Sequence, residues 1–282
     1  MSNNILNTLE IKSFEAEVHQ AYQEEGNQLS ACTRFRRIPG NKTQFPILGT
    51  LAAAERIIGT PVVATNQSAS AVEIQTTKYS VAQWTDIFLA SEVNFDAKQE
   101  SAKAVAMAAG RKVDQVIIDA LEAGNGSYTN TVATSIGGST TSLNVAKLAA
   151  ATKKLDLNGV PMTDRYGIIH VNAHHGLTQE TTVASSDYNS KRVLENGRIS
   201  NYYGWNFKVV GNMADEAGLT LSTNDRRNYF LHKSALGCVM GMEISVDIQY
   251  HQDYGAHLVT CFFSAGAKII DELGIVQVAT YE

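Results

Sequence analysis

Between Phe95 and Glu122 the apolar residues Ala102, Val105, Ala109, Val113, Val116 and Ala120 recur every three or four positions, while Lys98, Lys103, Arg111, Lys112 and Asp119 fall mostly elsewhere. That period is helical. One amphipathic helix of this length is on the order of 40 Å long, and the small alanines along its stripe suit close approach to a sheet. Asp96 stands where an N-cap is needed, and the Gly124-Asn125-Gly126 run supplies a stop.

Before the helix the pattern is different. Gly40, Pro46, Gly49, Gly59 and Pro61 break any helix, and from Ala71 onward Val72, Ile74, Thr76 and Lys78 alternate with Ala71, Glu73, Gln75 and Thr77. A two-residue period is that of a strand. The spacing predicts a long two-stranded excursion over residues 38–80, which has too little apolar area to stand alone in water and must rest on something else. Residues 1–37 read as an extended arm with a short amphipathic stretch (Leu9, Phe14, Val18) and a basic cluster, Arg34, Arg36 and Arg37. An arm of that kind is ordered by what it is tied to, and a neighbouring subunit is a common anchor.

After the helix, residues 125–141 have the Gly, Ser and Thr content of an exposed connection and mark a domain boundary. A second helix is expected from Ser142 to Asp156, stopped by Asn158, Gly159 and Pro161, with "RYGIIHVNA" following as a strand. From Asn228 onward the runs "YFLHKSALGCVMGM", "EISVDIQYH", "AHLVTCFFSAGAKII" and "GIVQVATYE", separated by turn signals at "QDYG" and "DELG", read as a meander.

Function classes narrow by exclusion. The longest near-apolar run, "AVAMAAG", is far short of the roughly 18 to 20 residues of a membrane span, and no secretory pattern stands at Met1. Three widely spaced cysteines, Cys32, Cys238 and Cys261, make neither a disulfide framework nor a zinc knuckle, and a reducing compartment fits them. With 23 basic and 28 acidic residues the net charge is −5, the wrong sign for a protein whose main task is to neutralise phosphates. The Arg34, Arg36 and Arg37 cluster suits either nucleic acid or, in a net acidic chain, salt bridges to a neighbouring subunit.

Catalytic patterns are weak. His170, His174 and His175 include an HxxxH pair, but no Glu stands inside it. "GNKT" and "GGSTT" lack the spacing of a phosphate loop, "GNGSYT" lacks that of a dinucleotide fingerprint, and there is no GxSxG elbow. Asp86, Glu92 and Asp96 are most simply a strand's polar face and a helix cap. No catalytic residue, metal ligand or cofactor site is assigned. The stretch "GRISNYYGWNFKVVGNM" (197–213) holds four aromatics and two interior glycines with almost no charge; Tyr203, Trp205 and Phe207 supply bulk, Gly204 permits a tight turn, and Trp205 is assigned to the core.

The order of parts resembles the major capsid proteins of tailed bacteriophages, above all those of short-tailed phages. "KTQFPILG" (42–49) is similar to the segment entering their extended loop, "AVAMAAGRKVDQVIIDAL" (104–121) to their spine helix, and the 197–213 stretch, "HKSALG" (232–237) and "AGAKIIDELGIVQV" (265–278) follow in the expected order. The resemblance implies an α+β capsid shell fold: an N-terminal arm (1–37), an extended loop (38–80), a peripheral domain with the spine helix (81–125 and 241–282) and an axial domain (126–240). It implies self-assembly into hexamers and pentamers around double-stranded DNA, with scaffolding, portal and decoration proteins as partners and the virion shell, assembled in the host cytoplasm, as its place. Contacts between subunits are then expected at Arg34, Arg36, Arg37, Lys42, Phe45 and Pro46, at Ile74 and Lys78, and at Tyr202 and Tyr203. Some relatives cross-link a loop lysine to an asparagine next door; Lys42 and Lys78 match no such site, so that reaction is not carried over. Two other readings are an encapsulin-type compartment of the same fold and a metal-dependent hydrolase built on His170, His174 and His175.

Overall fold

The computed structural model describes residues 26–53, 55, 58, 59, 61, 64, 66–87, 96–123, 128–138, 140–180, 183, 198–213 and 216–282. The expectations resting on Leu9, Phe14, Val18, Glu92 and the Gly124 stop lie outside these residues.

The long helix, α1, runs Ala97–Glu122, and the Asp96 carboxylate caps it by accepting from the backbone N–H of Lys98 and Gln99. Its stripe covers two different surfaces. Val105, Ala109 and Val113 pack on one sheet through Val259, Cys261, Phe263 and Ala265. Two turns later Ile117, Ile118 and Leu121 pack on another through Ile168, Tyr229, Leu231 and Ile275. One rod thus belongs to both cores.

The first sheet has five strands. Its central strand is β13 (Ala256–Ile269), with β4 (Thr77–Asp86) along one side and both β11 (Leu236–Met240) and β12 (Ser245–His251) along the other. β1 (Arg34–Arg37) adds in parallel to β11, Arg34 opposite Gly237. The second sheet has seven strands in the order β5 (Thr131–Val132), β14 (Ile275–Tyr281), β10 (Asp225–His232), β6 (Arg165–His170), β8 (Trp205–Val210) and β7 (Asn201–Tyr202), with β9 (Leu221–Ser222) also on β10. Its other face carries helix α2 (Val145–Leu157) and helix α3 (Val171–Thr178) over Leu148, Ala151, Leu155, Ala173 and Leu177. A separate two-stranded hairpin pairs β2 (Lys42–Leu48) with β3 (Ala69–Gln75).

Four expectations are corrected. Residues 26–37 are not an extended arm: Leu29 and Cys32 are buried, and residues 34–37 form β1. What ties them down is their own chain, because both oxygens of the buried Asp114 carboxylate accept from the N–H groups of Gln28 and Leu29 at 3.0 Å. The second helix starts at Val145, capped by Asn144, and not at Ser142. "RYGIIHVNA" is a strand only to His170; there the imidazole accepts from Asn172 N–H and caps α3. The closing strands are not a meander. β11, β12 and β13 share the first sheet, while β10 and β14 pair in the second, so β14 parts from β12 and β13, with which the expected peripheral domain (81–125 and 241–282) groups it, and β11 leaves the lobe expected of residues 126–240.

Candidate assembly surfaces

The hairpin stands on a foot built from its own subunit. Phe45 of β2 and Ile74 of β3 are buried against Ile38 and Val239, and the guanidinium groups of Arg34 and Arg36 lie over the Phe45 ring at 5.3 and 5.8 Å. A cation above an aromatic face is attracted by the ring quadrupole. This closes Phe45 and Ile74 to a neighbour: of the expected contact residues, these two are internal. Tertiary burial, invisible to an alternating pattern, is the reason.

Val72 packs partly against the same foot, and most of the other hairpin residues face outward. Lys42 pairs with Glu73 at 2.8 Å and holds that carboxyl below its ordinary range, and Arg37 pairs with Glu243 at 2.5 Å. Both pairs are solvent-exposed, so each contributes little and exchanges readily for another partner. Pro46 and Lys78 are exposed as well. Leu48 on the last paired rung, and Leu51 and Ile58 beyond the Gly49 N–H to Ser68 carbonyl bond, are presented to solvent at the far end of the hairpin, Ile58 being 99% exposed. Beside the foot lies a groove of about 570 Å³ lined by Pro39, Tyr79, Met242, Phe262 and Phe263.

Tyr202 and Tyr203 sit far from this group in the fold, at the β7–β8 turn on the edge of the seven-stranded sheet. Tyr203 (φ 54°) and Gly204 (φ 79°) make the tight reversal that pairs Tyr202 with Trp205. Tyr203 is exposed and Tyr202 half-buried, whereas Trp205 is fully buried, edge-on to Phe230 at 4.9 Å, with its indole N–H donating to Thr152 Oγ1 at 2.9 Å. Its assignment to the core holds.

The three histidines do not converge. His170 faces Glu282 through Nδ1 at 3.0 Å and Asn212 through Nε2 at 3.1 Å. His174 Nε2 accepts from Ile199 N–H at 3.1 Å, and burial pushes its pKa down, while His175 meets Gln179. Each ring serves its own structural neighbour, and among the described residues no three His, Cys, Asp or Glu side chains are grouped to hold a metal ion. Burial likewise pushes the Cys32 and Cys238 thiols up to about 12, which leaves them unreactive.

Sequence reasoning missed a set of exposed apolar side chains on the five-stranded sheet. On one face Trp84 meets His251 edge-on at 5.3 Å and Tyr254 at a tilt at 4.9 Å, with Phe262 on the same side, while Val246, Ile248 and Tyr250 line β12 on the opposite face. The strands were readable, but not which of them would be left at an edge. These are two exposed apolar patches, one on each face, of the kind that marks sites binding other proteins.

The chain's relatives are shells. A family model described as "Phage capsid protein" matches residues 6–282. No curated protein matches. Among solved structures, the capsid of the cyanophage P-SCSP1u is 17% identical, with 100% of this chain and 97% of that chain covered at a TM-score of 0.77. The head of the Helicobacter pylori bacteriophage KHP40 is 11% identical, with 99% and 98% covered at 0.78, and Mycobacterium phage Che8 is 18% identical, with 96% and 97% covered at 0.68. At such identities the structural likeness is one of fold, and it spans the whole α+β architecture. A match over nearly the full length supplies the family: this chain belongs to the phage capsid protein family and is a major capsid protein of the head shell.

Proposed function

We propose that the shell is built from cyclic hexamers and pentamers in which the β2–β3 hairpin of each subunit reaches over the next, enclosing double-stranded DNA without reading its sequence. The observation that carries this reading is the hairpin's division of labour. Its foot is buried in its own subunit, yet its far end holds Leu48, Leu51 and Ile58 in solvent, where a solitary subunit gains nothing from them. Closing a ring makes each later contact effectively intramolecular, so modest interfaces add up to a stable container. A net charge of −5 keeps packed DNA from adhering to the wall. A scaffolding protein directs curvature, a portal protein occupies one vertex, decoration proteins bind the outside, and assembly takes place in the host cytoplasm. The role is structural, and no step of it is catalytic.

The test is to remove the far end and keep the foot. Replacing residues 50–67 by a two-residue Asn-Gly turn joins Gly49 to Ser68, which already share a backbone hydrogen bond. The expected product is a folded subunit with unchanged thermal midpoint that yields no megadalton particles in light scattering or negative-stain microscopy. Shells of normal size from this variant would sink the hairpin reading.

A further inference from the structure

Natural sheets protect their edges with charge, proline or shortness, because an unpaired strand is a template for another chain. Most edges here follow that rule. β1 carries Arg34, Arg36 and Arg37, β2 carries Lys42 and Pro46, and β5 and β7 are two residues long. β12 does not. Its seven residues pair with β13 in unbroken register from Ser245 opposite Phe262 to His251 opposite Ala256, with no bulge, proline or lysine. Among the described residues nothing hydrogen-bonds to its outer side. On the face shared with Cys261 and Val259, which α1 covers, β12 presents Val246, Ile248 and Tyr250, exposed by 36%, 41% and 48%.

We propose that β12 pairs with β12 of a second copy of this chain, antiparallel, about a two-fold axis through Ile248. The inference rests on the shell reading, since rings that close into a container must also be joined to one another. The sequence of the strand selects the register. Centred on Ile248, all seven residues find a partner: Ile248 meets its own copy, Val246 meets Tyr250, Ser245 meets His251, and Asp247, the strand's one carboxylate, meets Gln249. The three apolar residues then form one continuous row. Centred on Asp247, the pairing would oppose two carboxylates, which is destabilising. Centred on Gln249, it would leave Val246 opposite Gln252, beyond the strand. A shift by one residue would set Tyr250 against Asp247. The contact is isologous, as a two-fold axis requires, and it fuses two five-stranded sheets into one.

Cysteine cross-linking in assembled shells tests the register. Cys32 and Cys238 are buried, and Cys261, which lies directly opposite Val246 on β13, is replaced by alanine in every variant, so an introduced thiol is read against a quiet background. Opposed residues in an antiparallel pair have Cα atoms roughly 4.5 to 5.5 Å apart, within the disulfide range of about 4.4 to 6.8 Å. Ile248→Cys shells oxidised with copper phenanthroline should therefore run mostly as dimers on a non-reducing gel. Val246→Cys alone and Tyr250→Cys alone lie two residues from the axis, on the order of 13 Å from their own copies, and should stay monomeric, while shells co-assembled from the two should yield the mixed dimer. Should Ile248→Cys disturb assembly, the co-assembled pair reads the same register. Intact shells in which neither link forms, or in which Val246→Cys or Tyr250→Cys links to itself, overturn the pairing and leave the shell reading standing. A chain that forms neither rings nor shells fails earlier and takes both readings with it.

Discussion

Gly26 crosses α1 directly over Gly110, so closely that a Cβ on Gly26 would lie 2.1 Å from the Gly110 carbonyl carbon and from the Arg111 nitrogen. Asn27, in the left-handed region at φ 66°, then donates its N–H to the Gly110 carbonyl at 3.1 Å. Backbone lies on backbone at this point, and it is there that residues 26–33 are fastened to the helix. Gly26→Ala has no side-chain end that could yield, so it should cost about 1–3 kcal/mol, the range of core overpacking. Gly110→Ala meets its nearest atoms at 3.1 Å and gains helix propensity, so it should be close to neutral. Hydrogen exchange at Leu29 and Cys32 checks the difference: protection lost in the first variant and kept in the second.

Asp114 makes the second fastening. Asp114→Asn keeps one acceptor oxygen where two N–H groups now have one each, and a buried donor left unsatisfied costs about 1–3 kcal/mol. The urea midpoint of the subunit should fall accordingly; an unchanged midpoint would mean that the Gly26 crossing alone holds the segment.

Phe45 and Leu48 stand three residues apart on the same strand and should fail in different ways. Phe45→Ala removes a ring packed in the foot and should destabilise the subunit by about 3–5 kcal/mol. Leu48→Ser alters a side chain already in solvent and should leave the melting temperature where it is, within about 0.5 kcal/mol. Its effect should appear only in assembly yield, read by light scattering. Loss of stability in Leu48→Ser would show that the hairpin's far end also serves its own subunit.

Acid should loosen the seven-stranded sheet through His174. Its folded-state pKa is held down by burial while Nε2 accepts from Ile199, so the unfolded chain takes up the proton first. The stability this group contributes is complete above the ordinary imidazole value of about 6.5 and is lost as pH falls below it. Urea midpoints at pH 7.5 and 5.5 should therefore differ more for the natural chain than for His174→Gln; parallel pH profiles would exclude this imidazole as the cause.

Local rules carried the reading of α1, whose expected bounds, 95–122, differ from the observed 97–122 by two residues, and of the stop at Asn158 and Gly159, where Gly159 takes φ 70°. Such signals need only near neighbours. The expectations that failed depend on residues far along the chain. Nothing within residues 26–37 announces that Asp114 and Gly110 will hold them. Phe45 and Ile74 were readable as facing one side of a hairpin, but whether that side meets its own subunit or another is decided by Val239, nearly two hundred residues away. β14 looks like any closing strand until its register with β10 is known. The same limit applies to the candidate surfaces: "SVDIQYH" is legible as a strand, whereas its place at an edge is set by how many other strands reach β13.

The parallel pairing of β1 with β11 also has a consequence in time. Arg34 leaves the ribosome about two hundred residues before its partner Gly237, and β11 in turn needs β13, which ends at Ile269. Contacts of such long range close late and slowly. The nascent chain therefore cannot finish the five-stranded sheet until Ile269 has been made, and Phe45 waits uncovered for Val239. Translation itself thus acts as a timer, withholding the finished foot and sheet from every chain that has not yet reached β13.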